Sequence, residues 1–302
     1  MRNAPASEPR GLFVGLATLD VIHRIAEPPA VNQKITAAAQ FVAAGGPAAN
    51  AAVTFAALGG DAVLVTALGT DPVADLVRSD LVAHGVEVID AAAGSARPVP
   101  VSSVSVVDAT GDRSVISLDA VASDVAAPAD LGDLVAGADV VLVDGHHPVI
   151  GAAAARSAAA QQVPCVVDAG RWKPVMADLI THRPDMVCSG DFRTPGADSA
   201  EATAAALLDD GVPTVVVTAG GAPIRWWSGG EAGSVDVPVV PVRDTLGAGD
   251  AFHGAYCYFG ADGVVRLAER VQAAAEVAAL RCSVIGPRAW LAELSHDRRR
   301  HR

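Results

Sequence analysis

Short, valine-rich apolar runs recur along this chain, separated by longer alanine-rich stretches. The runs Leu12–Ala17, Ala62–Ala67, Asp139–Val143, Val163–Val167, Asp185–Cys188 and Pro213–Thr218 have few polar interruptions. Strands buried on both faces read this way, which predicts a parallel sheet. The intervening stretches Pro47–Leu58, Pro72–His84, Val149–Gln161 and Ala200–Asp209 predict helices. Two begin with proline, which suits a first helical turn, and one stops just before Gly85, a natural helix end. Strand–helix–strand alternation implies right-handed crossovers.

Two regions break this rhythm. Asn32–Val42 and Pro100–Leu118 predict antiparallel strands, the second as alternating apolar positions around the turn signal Ala109-Thr110-Gly111-Asp112. Together they predict a small β-flap, about residues 30–44 and 98–120, projecting from the α/β body. The last third predicts helices at Gly247–Phe259, Gly263–Arg281 and Arg288–Leu294, followed by a disordered tail at 295–302.

Composition narrows the function. The 302 residues hold 34 acidic and 22 basic side chains, a net charge of −12, which argues against nucleic acid or an anionic membrane as partner. No apolar run reaches the ~20 residues of a bilayer span, and the N-terminus lacks a signal-peptide core. Cys165, Cys188, Cys257 and Cys282 are widely spaced, as buried thiols in a reducing compartment would be, so the expected location is the cytoplasm.

The sharpest chemical feature is Arg243–Tyr256, RDTLGAGDAFHGAY. Gly247, Ala248 and Gly249 form a turn whose amides can point outward at a helix N-terminus, a nest for an anion. Asp250 stands beside that nest, where it can take a proton from an attacking hydroxyl. A second stretch, Gly45–Gly60, opens a helix with a glycine pair and carries Asn50.

Both strings resemble signatures of the PfkB/ribokinase family of carbohydrate kinases, and the likeness runs from about Gly11 to Arg288, nearest to the ketohexokinase and sulfofructose kinase branch. It implies a ribokinase-like three-layer α/β/α domain over 11–294 with a small β-sheet lid. The implied activity is transfer of the ATP γ-phosphoryl to a hydroxyl of a small sugar, a ketose or acidic sugar being favoured. A nucleoside kinase, a ketodeoxygluconate kinase and a non-catalytic sugar- or nucleoside-binding relative are the alternatives. The resemblance makes Asp250 the base and the amides of residues 247–249 the anion hole. Asp20, Gly45, Gly46 and Asn50 then belong to the sugar pocket, with Lys34 on a flap strand facing an acidic group and His146 at a central strand end. Ser189, Asp191, Thr218 and Gly220 fall on the nucleotide side, where Cys188 replaces the family's asparagine. Asp244 and Thr245 match the family's monovalent-cation loop. ATP and Mg²⁺ are thus expected, K⁺ is a further candidate, and a homodimer through the lid is implied.

Overall fold

The computed structural model describes residues 8–264 and 266–294. Thirteen strands form two sheets among these residues. The central sheet contains β1 (Arg10–Val14), β4 (Asp61–Thr66), β5 (Val86–Asp90), β8 (Val140–Val143), β9 (Cys165–Ala169), β10 (Asp185–Ser189), β11 (Thr214–Ala219), β12 (Ala222–Ser228) and β13 (Glu231–Val235). Its order is β13-β12-β11-β10-β9-β8-β1-β4-β5. Seven strands run parallel, and the hairpin β12–β13 adds two antiparallel strands at one edge.

Eight helices cover both faces: α1 (Pro47–Ala57), α2 (Pro72–Ala83), α3 (Leu131–Ala136), α4 (Pro148–Gln161), α5 (Met176–Thr181), α6 (Ala200–Asp209), α7 (Ala248–Ala261) and α8 (Leu267–Ser283). Sheet residues alternate between two cores. Phe13 and Leu64 pack with Phe55, Phe252 and Tyr256 under α1, α7 and α8, while Leu12, Val63 and Val141 pack with Ile150, Leu179 and Leu207 under α4, α5 and α6. This is the ribokinase-like three-layer arrangement with a second, smaller sheet.

That second sheet has the order β3-β2-β6-β7, from β2 (Thr18–Ile25), β3 (Ala39–Gly45), β6 (Val101–Val107) and β7 (Arg113–Ile116). It corrects the expected flap in three ways. A third chain segment, β2, lies inside it. The β2–β6 pair is parallel rather than antiparallel. The flap strand expected from Asn32 starts only at Ala39, which leaves Lys34 exposed in a loop. The run β2 was missed because it follows β1 after a short turn, and its polar residues Asp20, His23 and Arg24 hid it as a strand.

In the main sheet, β5, β12 and β13 were also unanticipated. The glycine pairs Gly220-Gly221 and Gly229-Gly230 mark the hairpin turns between β11, β12 and β13, and all four backbones lie beside open space. The last helix shifts from the expected 263–281 to 267–283, and residues 291–294 make one short helical turn. The expected tail at 295–302 lies outside the described residues. No helix among the described residues is long and apolar enough to cross a membrane. All four cysteines are free thiols.

Candidate active site

The carboxyl ends of the parallel strands β1, β8, β9 and β10, where open α/β sheets bind ligands, meet the start of α7 and the underside of the small sheet. Asp144, directly after β8 and fully buried, organises the first part of this site. Its Oδ2 accepts from the amides of Leu16 at 2.8 Å and Ala48 at 3.2 Å, and its Oδ1 accepts from the amide of His146 at 2.8 Å. A buried carboxylate is stable only with such partners. Here they join the end of β1, the first turn of α1 and the strand end carrying His146. Lys173, also buried, donates Nζ to the Asp144 carbonyl at 2.8 Å.

The glycine pair before α1 is required by two close approaches. A Cβ on Gly45 would lie 2.1 Å from a carboxylate oxygen of Asp20. Gly46 has φ +99°, and a Cβ there would lie 2.2 Å from the Leu16 carbonyl oxygen. These glycines admit the Asp20 carboxylate, which is buried and accepts from Thr18 Oγ1 at 2.7 Å.

Asn50, on α1, then bridges to the second half of the site. Its Nδ2 donates to Asp250 Oδ2 at 2.8 Å, and its Oδ1 accepts from Arg288 Nη1 at 3.1 Å. Arg288 is itself held by Asp80 at 3.0 Å and by the Ala44 carbonyl at 2.7 Å. Two residues 200 positions apart are thus brought into direct contact. Asp20, Asn50, Gly247, Arg281 and Arg288 line one cleft.

Around Asp250 the local structure is that of an anion site. Gly247 takes φ +73° and turns the chain into α7. The amides of Gly247 and Gly249 have no hydrogen-bond partner among the described residues, and nothing lies above the Gly249 Cα within 4 Å. The amide of Ala248 differs from expectation. It donates to the Thr245 carbonyl at 3.3 Å and closes the turn, so it is not an open donor, unlike the amides of the two glycines. They sit at the positive end of the α7 dipole.

The pKa of Asp250 is pushed up to about 6. Burial is the main cause, and the negative charge of Asp168 adds to it; the Asn50 hydrogen bond, His253 and Arg113 oppose. A carboxylate raised toward neutrality is a stronger base than a free aspartate and is still largely ionised at pH 7. Asp168, at the end of β9, is buried, with Oδ1 3.5 Å from His253 Nε2. The His253 ring also meets the Gly249 carbonyl through Nδ1 at 2.7 Å and the Val187 carbonyl through Nε2 at 3.2 Å. It therefore fixes the first turn of α7 against β10.

The small sheet reaches the same loop. Arg113, on β7, donates Nη1 to Thr245 Oγ1 at 3.0 Å, and Thr245 Oγ1 donates to the Gly111 carbonyl at 2.9 Å. Buried Arg24, on β2, donates to the Arg243 carbonyl at 3.1 Å and pairs with Asp108. Sequence reading passed over Arg113, Asp144 and Arg288. For Asp144 there was a signal, an acid closing the fully apolar run Val140–Val143; for the two arginines there was none.

The remaining expected residues are more loosely placed. His146 is buried, its Nδ1 accepts from the Ala120 amide at 3.4 Å, and desolvation lowers its pKa, so it is a neutral buried side chain. Ser189 Oγ donates to the Gly170 carbonyl at 2.7 Å, and Thr218 Oγ1 to the Cys188 carbonyl at 3.3 Å. Asp191 is exposed after β10, and Gly220 sits in the β11–β12 turn at φ +58°. Lys34 is not drawn into the site by any contact among the described residues.

No group of three or more His, Cys, Asp or Glu side chains among the described residues could hold a metal alone. Burial pushes the Cys188 thiol up, so it stays protonated and is a poor ligand for a hard cation. The exposed Asp191 carboxylate offers the hard oxygen donors that a hydrated Mg²⁺ takes.

The pfkB family carbohydrate kinase profile matches residues 11–293. This chain therefore belongs to the pfkB family of carbohydrate kinases. Solved structures agree on the fold. The ribokinase of Arabidopsis thaliana, complexed with ribose and ATP, superposes with a TM-score of 0.75 at 24% identity, covering 96% of this chain and 99% of that one. The ribokinase of Giardia lamblia gives 0.80 at 16% identity, covering 97% and 99%. The 2-dehydro-3-deoxygluconokinase of Thermotoga maritima gives 0.74 at 18% identity, covering 96% and 98%.

Proposed function

We propose that this chain transfers the γ-phosphoryl group of ATP to a hydroxyl of a small ketose or acidic sugar. The observation that carries the reading is the Asn50–Asp250 contact of 2.8 Å beside the two open glycine amides. Asp250 takes the proton of the attacking hydroxyl, and Asn50 orients the acceptor oxygen of that carboxylate. The amides of Gly247 and Gly249 receive the charge spread over the transferring phosphoryl oxygens. Asp20 accepts from sugar hydroxyls on the lid side, and Asn50 and His146 set the opposite wall. Asp191 would meet the Mg²⁺ that accompanies ATP, which would supply neutralisation of phosphate charge. Lys34, on a loop of the lid, is the cation available to a distal acidic substituent.

The lid's outer face leaves Val42, Val101, Ile116 and Leu118 exposed, Ile116 and Leu118 to more than 70%. An apolar patch on a sheet edge suits pairing with a second copy. Light scattering that gives a monomer mass would rule out that dimer.

The functional test is ADP release with MgATP over a panel of ribose, fructose, sulfofructose, ketodeoxygluconate, fructose phosphates and nucleosides, with thermal shift alongside. Turnover on a ketose or acidic sugar is expected. Turnover confined to nucleosides would overturn the substrate class, and ligand-induced stabilisation without ADP release from any of them would overturn the kinase reading.

A further inference from the structure

The loop before the anion nest contains Asp244, a carboxylate as buried as any core residue, and Arg281, equally buried on α8. Arg281 Nη2 lies 3.3 Å from Asp244 Oδ2, and its Nη1 meets the carbonyl oxygens of Asp244 at 3.5 Å and Val284 at 3.1 Å. Two backbone amides add to the pairing. Gly286 donates its amide to Oδ2 at 3.0 Å and Leu246 its amide to Oδ1 at 3.1 Å. The amides of Arg243 and Asp244 both donate to the Cys282 carbonyl, at 2.8 and 3.2 Å.

A carboxylate facing backbone carbonyls is the oxygen cage that suits a monovalent cation, as Asp244 and Thr245 led one to expect. In this chain the cage is filled by a guanidinium. Arginine does not lose its charge in a protein, and its planar fork matches a carboxylate with flanking carbonyls. The Thr245 hydroxyl is used as well, between Arg113 and the Gly111 carbonyl. The guanidinium compensates the Asp244 charge that would otherwise attract K⁺ there.

We propose that Arg281 is a covalently built-in substitute for the monovalent cation, so that this kinase needs no K⁺. Its role is positioning. The Asp244 carboxylate it neutralises holds the Leu246 amide, one residue before Gly247, whose left-handed turn aims the open amides of the anion nest. An uncompensated charge at Asp244 would loosen that loop. The inference rests on the kinase reading for its activity measurement only, because the thermal measurement needs no substrate.

The experiment compares KCl with tetramethylammonium chloride at equal ionic strength. Wild-type melting temperature, and ADP release with whichever sugar turns over in the panel, should agree between the two salts within about twofold in rate and one degree in Tm. Arg281→Ala should lower Tm and cut kcat/KM about tenfold or more, and KCl but not tetramethylammonium should then raise its Tm and restore part of the rate. Arg281→Lys should recover activity relative to Arg281→Ala without K⁺. A wild-type rate several-fold higher in KCl, or a wild-type Tm raised selectively by KCl, overturns the proposal. So does a folded Arg281→Ala protein that ignores K⁺. Should that variant not fold, the wild-type salt comparison and Arg281→Lys still decide the matter. Failure of the panel itself, with the thermal result intact, counts against the kinase reading and not against the built-in cation.

Discussion

The part of the site proposed for the sugar and the part proposed for the nucleotide are built differently. In the part proposed for the sugar, Asn50 bonds Asp250, Gly45 closes on Asp20, and buried Asp144 ties the end of β1 to the start of α1. In the part proposed for the nucleotide, Ser189, Thr218, Gly220 and Asp191 sit at strand ends and in an open hairpin turn, with Asp191 exposed. The difference has a chemical reason. A base and an anion hole must be placed to within fractions of an ångström and held in a low dielectric, whereas a triphosphate with its metal brings its own charge and tolerates a wetter, looser surface.

The largest effect should come from the rigid side. Asp250→Asn is expected to lower kcat by roughly 10²–10⁴-fold with the melting temperature nearly unchanged; a variant with near-normal turnover would remove Asp250 as the base. Gly46→Ala tests the rigidity itself. Its φ of +99° and the 2.2 Å approach to the Leu16 carbonyl predict a loss of about 2 kcal/mol or more of stability, read by denaturant unfolding, and unchanged unfolding would mean that the loop relaxes freely.

A subtler break is electrostatic. Asp250 acts as a base only when ionised, and its pKa is raised to about 6, so sugar kcat/KM should fall as pH drops through about 6. Part of that rise comes from the charge of Asp168. Asp168→Asn removes the like charge, stabilises the ionised form of Asp250 and should move the acidic limb of the profile to lower pH. A limb that stays in place or moves upward would take Asp168 out of the electrostatics of the base. The smallest effect is expected on the loose side. Asp191→Ala should raise KM for MgATP a few-fold at saturating sugar and leave kcat within about threefold, since a carboxylate that meets the metal through water is replaceable by water. A collapse of kcat would show that the nucleotide side is as finely built as the sugar side.

Much of this was legible in residues. Near-continuous apolar runs foretold six strands of the central sheet because burial on both faces leaves no room for polar side chains. The glycine turns foretold both halves of the site, since only a backbone without Cβ can let a carboxylate or a phosphate come close. What escaped followed from partners distant in sequence. The strand β2 carries buried Asp20 and Arg24 on the face they share with Ile22, and His23 on the other, and no periodicity signals that its neighbours are β3 and β6. Lys34, expected on a flap strand facing an acidic group, stands in the loop before β3, because nothing in the residues around it marks where that strand begins.

By itself, then, the amino-acid order determined the layer architecture and the glycine turn before α7, because these depend on local backbone freedom and on hydrophobic alternation. Only the tertiary structure decided that Asn50 orients Asp250, that Asp144 stitches β1 to α1, and that an arginine from α8 neutralises Asp244. Those are meetings of side chains from opposite ends of the chain. Their energies depend on distance and burial, which no local pattern encodes.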